Sequence, residues 1–197
     1  ASCIGGPHRP GATALPMPDS LLIGAALLLY ALAAAQVLRP AGAAPPRVLP
    51  RGLLEAAVLL HTLALLQRWA TLGHGPFTTM HEILSSSLWS LSLIYVLACL
   101  AVAELRQSFR VAAPVLLVLA AWLLWTDAGP GHMPPTYDTP LLYLHTVVGK
   151  AYLGLLLAAV SLGLMPLLAS RRLSVAQAAS FDRQAHRLAA WAFVCKT

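Results

Sequence analysis

With 197 residues, 58% of them hydrophobic and only 10% charged, the chain has more apolar surface than one soluble core of that length can hide, which excludes an ordinary soluble globular domain. The formal net charge of +6 does not point to nucleic acid, because the thirteen Lys and Arg are scattered through short connections and form no patch interleaved with aromatics. Lipid is the solvent that fits: a helix rising about 1.5 Å per residue crosses a hydrocarbon core of roughly 30 Å in about 20 apolar residues, and several such runs are present.

Residues 1–18, ASCIGGPHRPGATALPMP, contain Gly and Pro and no basic region leading into an apolar core, so they read as a flexible external tail and not as a signal peptide. The remainder, 19–197, reads as one all-α transmembrane domain, a polytopic helix bundle of five complete spans and the start of a sixth. Span one is expected over about 21–38, with Asp19 and Ser20 as N-cap candidates and an Arg-Pro pair closing it. Span two is expected over about 53–67, span three over 83–103, span four over 111–126 and span five over 141–170. The last is long enough to tilt or to project beyond the bilayer. LAAWAFVC at 188–195 reads as the beginning of the sixth span, with the chain stopping in mid-helix.

Short loops rich in Lys and Arg stay on the cytoplasmic side. Arg39, Arg47 and Arg51 follow span one, Arg106 and Arg110 follow span three, and Arg171, Arg172, Arg183 and Arg187 follow span five. The other two loops have Arg68 at one margin and otherwise no basic residue. They and the N-terminus are therefore expected outside. Eleven Arg against two Lys, with abundant Ala and Leu, suit GC-rich coding and a bacterial inner membrane with its functional loops on the periplasmic side, with a thylakoid relative as the alternative.

That orientation puts His74, His81, His132 and His145 on one face, where imidazoles can ligate a metal or haem iron or act as hydrogen-bonded interface anchors. His145 is followed by Gly149 four residues on and Tyr152 seven residues on, so one face of span five offers an imidazole, a position without a side chain and a phenol. A flat macrocycle can lie against Gly149; equally, Gly149 and Gly154 can be close-packing points between helices. His61 lies in mid-span, where an ionisable residue is either a functional group, here an intramembrane haem ligand, or a neutral ring bonded to a carbonyl or hydroxyl. Glu55 and Arg51, four apart, are expected to pair. Glu82 suits the dipole at the start of span three as a capping residue. Lys150 is expected to meet an acid or a haem propionate. Serines 85, 86, 87, 90 and 92 point to tight bundle packing through hydrogen bonds across helices. Cys3, Cys99 and Cys195 have no ligand or disulfide spacing. No Ser-His-Asp order, paired carboxylates, Gly-rich phosphate loop or HExxH is present, which argues against hydrolysis and nucleotide chemistry.

Three segments carry a resemblance. Arg68, Trp69, Gly73, His74, Pro76, Glu82 and Trp89 stand in the order of the "RW...GH.P....E......W" block of the CcsA/ResC-type cytochrome c assembly family. LLYLHTVVGKAYLGLLLAAVSLG resembles the family's histidine opening a helix after an external loop, and FDRQAHRLA is similar to the "LD...YR" approach to the next helix. Together they span about 52–190. The resemblance implies a membrane component that handles haem, haem b as cofactor, and partners that include apocytochrome c and a second membrane assembly subunit, with no nucleic acid. It implies His145 as an axial ligand of the iron and His74 as a site-forming histidine and possible ligand. Arg68 and Trp69, with Pro76 and Glu82, would shape the outer loop or meet a propionate. His61, His81 and His132 lie outside the family pattern. The family's tryptophan-rich WWD segment has no counterpart here, since Trp122 and Trp125 precede His145 inside span four. The expectation is therefore a truncated or shortened relative that is not a complete haem lyase by itself, or a small accessory subunit of a respiratory or photosynthetic complex that holds no haem.

Overall fold

The computed structural model describes residues 19–40, 49–134, 139–168 and 173–196. The proposed tail 1–18 and the arginines at 47, 171 and 172 lie outside the described residues. Among the described residues all regular structure is helical, in six helices: α1 Asp19–Val37, α2 Pro50–Leu72, α3 Met80–Ala101, α4 Leu105–Leu124, α5 Pro140–Leu168 and α6 Val175–Lys196. The first five are long and apolar enough to cross a membrane.

The helix ends follow local chemistry that apolar runs alone do not display. Pro50 opens α2, where its missing N–H is no loss. The same helix runs past Gln67 to Leu72 and stops where Gly73 takes φ 76°, its N–H donating to the carbonyl of Trp69. Span two is thus longer at both ends than its apolar stretch. α3 starts at Met80 because Thr79 caps it, accepting the Glu82 N–H. α4 begins at Leu105, since the polar turn LRQSFR is helical and buries Ser108. α6 extends over 22 residues, Val175–Lys196, and not only over the stretch 188–195; its first half is too polar to place it among the five apolar helices.

Helix α1 packs on α2 and α4, α3 lies among α2, α4 and α5, and α6 lies along α5. Buried Phe181, Ala185, Leu188 and Ala192 recur at helical spacing and form the stripe of α6 that meets its neighbours. Small residues set the closest approaches. A Cβ at Gly154 of α5 would lie 2.6 Å from Cδ1 of Ile94 in α3, and one at Gly163 would touch Ala185 of α6. Gly149 has nothing within 4 Å of such a Cβ, so of the two packing glycines expected in α5 only Gly154 is one.

Side chains are sorted as a bilayer requires. Leu28, Leu59, Leu63, Leu97, Val118 and Leu167 are exposed on the outside, whereas His61, Arg68, Glu82, Ser85, Ser86 and Ser92 are buried. The core between the helices is closed by Leu88, Tyr95, Leu105, Leu123 and Leu162. Cys99 is a buried free thiol and Cys195 a free thiol at intermediate depth.

Candidate functional site

One end of the bundle is organised around Arg68 in the last turns of α2. Its guanidinium donates through Nε and Nη2 to Oε1 of Glu82, through Nη1 to Asp19, and again through Nη2 to the carbonyls of Ala128 and Gly129. These partners come from the start of α3, the start of α1 and the chain beyond α4. The several N–H groups of one planar fork are what tie three segments to one side chain, which a lysine cannot do. The other carboxylate oxygen of Glu82 accepts from the N–H and hydroxyl of Thr78, and Glu82 is fully buried. The residue read as a cap therefore also balances a buried cation.

The rest of the "RW...GH.P....E......W" block surrounds this knot. Trp69 stacks on Tyr143 of α5 at 6.0 Å, and Phe77 meets the same ring edge-on at 5.0 Å. His74 is half-buried, with Nδ1 2.9 Å from the Gly75 carbonyl and Nε2 3.2 Å from the Gly131 carbonyl, which joins the loop before α3 to the loop after α4. The carbonyl of Pro76 accepts from Ser86, and Trp89 donates to Thr62 across α2 and α3. Both nitrogens of His74 face carbonyl oxygens, so neither is open to a metal in this geometry.

His61 is buried in the middle of α2, with Nε2 2.8 Å from Ser85 Oγ and Nδ1 at a long 3.4 Å from the Tyr30 hydroxyl. That is the hydrogen-bonded alternative of the two open for this residue. His81 differs. The Thr126 hydroxyl spends its proton on the Leu123 carbonyl, so it accepts from His81 Nδ1–H, and Nε2 is left buried with no hydrogen-bond partner. The ring borders a small cavity of about 200 Å³ that Asp19 and Thr126 also line.

His145 is exposed on α5, with no hydrogen bond or ion pair to the described residues. Gly149 leaves open space one turn further along, and Tyr152, seven residues on, is approached by Phe193 and Lys196 of α6. This face is not the one that borders the main cavities. A cavity of about 550 Å³ lies between α3, α5 and the chain at His132, with Leu142, Thr146 and Lys150 of α5 on its wall. Its volume is in the range of small-molecule sites. His74, His81, His132 and His145 do not converge on a metal site: among the described residues no group of three or more His, Cys, Asp or Glu is placed to hold a metal ion.

Lys150 is half-buried and donates to the hydroxyls of Ser86 at 2.7 Å and Ser87 at 3.3 Å; none of the ion pairs among the described residues includes it. Of the two partners expected for it, an acid or a haem propionate, no acid is paired with it among the described residues. Arg51 and Glu55 do pair, at 2.6 Å, on the opposite end of α2.

Compared with protein-family models, curated proteins and solved structures, the chain has no match in any of the three.

Proposed function

We propose that the chain is a haem-handling membrane component of cytochrome c biogenesis that presents haem at the Arg68 end of the bundle. The observation that carries the reading is His145: it is an exposed imidazole with no partner among the described residues, followed by an unobstructed Gly149, at the position where the resemblance puts an axial ligand. When bound, haem b would supply the redox-active iron and the vinyl groups that the thiols of an apocytochrome c take up. This chain's part is positional. His145 offers the iron a nitrogen, Gly149 keeps the adjacent helix surface clear, and Arg68, Glu82 and Trp69 hold the outer loops in place. The thiols come from apocytochrome c, and a second membrane assembly subunit completes the machinery.

The proposed membrane is a bacterial inner membrane. Arg39, Arg51, Arg106 and Arg110 lie at the helix ends opposite the Arg68 knot, so the positive-inside rule turns that knot toward the periplasm.

A second reading, a haem-free accessory subunit of a larger complex, is favoured by the ring nitrogens of His74 and His61, which are already occupied by hydrogen bonds. Optical spectra of the protein purified in mild detergent, oxidised and then dithionite-reduced, separate the two. Haem handling predicts a Soret band that is lost or strongly weakened in His145→Ala and little changed in His132→Ala. A haem-free protein, or equal loss in both variants, favours the accessory subunit.

A further inference from the structure

Lys150 is a charge inside the bundle that takes part in no ion pair among the described residues. It lies ten residues into α5, about 15 Å along the helix from Pro140. An ammonium at such depth ordinarily meets a carboxylate or faces a water-filled or ligand-filled cavity. Here its neighbours are two neutral hydroxyls, Ser86 and Ser87, which use at most two of its three N–H groups. Ser86 Oγ has its own proton directed at backbone carbonyls, Pro76 and Glu82 among them, and so turns a lone pair to the lysine. Glu82 is one helical turn from Ser86, but both its oxygens are saturated by Arg68 and Thr78. It is not available as a counter-ion.

Two cavities meet at the lysine. The 550 Å³ cavity lies on one side, with Ser87, Thr146 and His132 on its wall. On the other side is a cavity of about 170 Å³ between α2, α3 and α5, lined by Leu65, Leu66, Trp89, Tyr143 and Val147. Thr146, Phe77 and Lys150 belong to both. A cation at the junction of an apolar slot and a larger space fits a molecule with an anionic head and an apolar body.

We infer that Lys150, with Ser87 beside it, anchors a binding site for an anionic amphiphile, a carboxylate or phosphate group on an apolar body lodged between α2, α3 and α5. The site does not rest on the haem reading, since a fatty acid, an anionic lipid headgroup and a haem propionate present the same chemistry to it.

The test uses the full chain in a neutral detergent, with a fluorescent fatty acid as probe and dodecanoate, dodecyl phosphate and methyl dodecanoate as competitors. Dodecanoate and dodecyl phosphate are expected to displace the probe at least about tenfold more tightly than the uncharged ester, because a hydrogen bond to a charged group is at stake. Lys150→Met should abolish that preference and Lys150→Arg should keep most of it. Thr146→Trp, which fills the junction without touching the charge, should weaken all three competitors together. Equal displacement by dodecanoate and its methyl ester in the unmodified protein overturns the inference even if no variant folds; unchanged preference in Lys150→Met overturns it as well. The source is read from two further competitors: haem against its dimethyl ester, and phosphatidic acid against phosphatidylcholine. A discriminated haem pair identifies a propionate, a discriminated lipid pair a headgroup, and neither a free fatty acid. Loss of the Soret band in His145→Ala is independent of all these results.

Discussion

Replacing Arg68 with methionine removes five hydrogen bonds, 3.0–3.2 Å long, that join α1, α2, α3 and the chain after α4. It also leaves the fully buried Glu82 carboxylate with only Thr78 as partner. Breaking a buried pair by deleting one member costs about 3–5 kcal/mol, because the surviving charge stays desolvated. That is a large fraction of the roughly 5–15 kcal/mol by which folded proteins are stable. Glu82→Gln keeps an acceptor toward Thr78 and leaves Arg68 paired with Asp19, so a loss of about 1.5–3 kcal/mol is expected. Asp19 is one-third exposed at its end of the network, and Asp19→Asn should lose no more than about 1 kcal/mol. The assay is reversible unfolding in mixed micelles by sodium dodecyl sulfate, followed by tryptophan fluorescence for each single variant and the Arg68→Met/Glu82→Gln double variant. The double should be more stable than the sum of the singles predicts, by roughly 2 kcal/mol. Additivity within about 0.5 kcal/mol, or a loss below about 1 kcal/mol for Arg68→Met, would refute the view that these two side chains act as one buried unit.

Gly154→Ala puts a Cβ 2.6–2.9 Å from the Ile94 side chain, so it should push α3 and α5 apart and lose about 1–3 kcal/mol in the same assay; Gly149→Ala, with open space around it, should leave unfolding unchanged. At the opposite end of the bundle, the hydroxyl of Ser180 in α6 donates to Glu104 at 2.8 Å, and this bond holds the Glu104 carboxyl below the usual range. A carboxylate with a depressed native pKa stabilises above its unfolded pKa and loses that contribution as pH falls through its native one. Limited proteolysis near the α6 N-terminus should therefore speed up as pH falls below the ordinary carboxylate range and through the lowered native one, and Ser180→Ala should flatten that pH dependence.

The positions of the five apolar helices were legible in the sequence because a run of about 20 apolar residues has one economical solution in lipid. Their ends were not. Arg68 and Ser108 are polar and helical at once, and only tertiary contacts, here the Glu82 and Asp19 carboxylates and the Tyr95 hydroxyl, make burial of such residues tolerable. The polar first half of α6 was missed for the same reason: its buried stripe is four residues wide-spaced among charged ones. The Arg51–Glu55 pair was readable because its spacing is local. The partners of Lys150 were not, since α3 and α5 are brought together by Gly154 and Ile94, and no spacing within α5 encodes Ser86 or Ser87. Four histidines on one face suggested a cluster, yet carbonyls claim His74 and a hydroxyl claims His81 Nδ1, while His145 points away from the face of α5 that borders the cavities.

The most direct test of His145 as an iron ligand is chemical rescue. His145→Gly, purified in mild detergent with haem and titrated with imidazole, should regain the Soret band and reduced-state spectrum of the unmodified protein as the free ring takes the place of the missing one. A variant that holds haem as the unmodified protein does without imidazole, or that never regains the band at any imidazole concentration while remaining folded, would contradict the account.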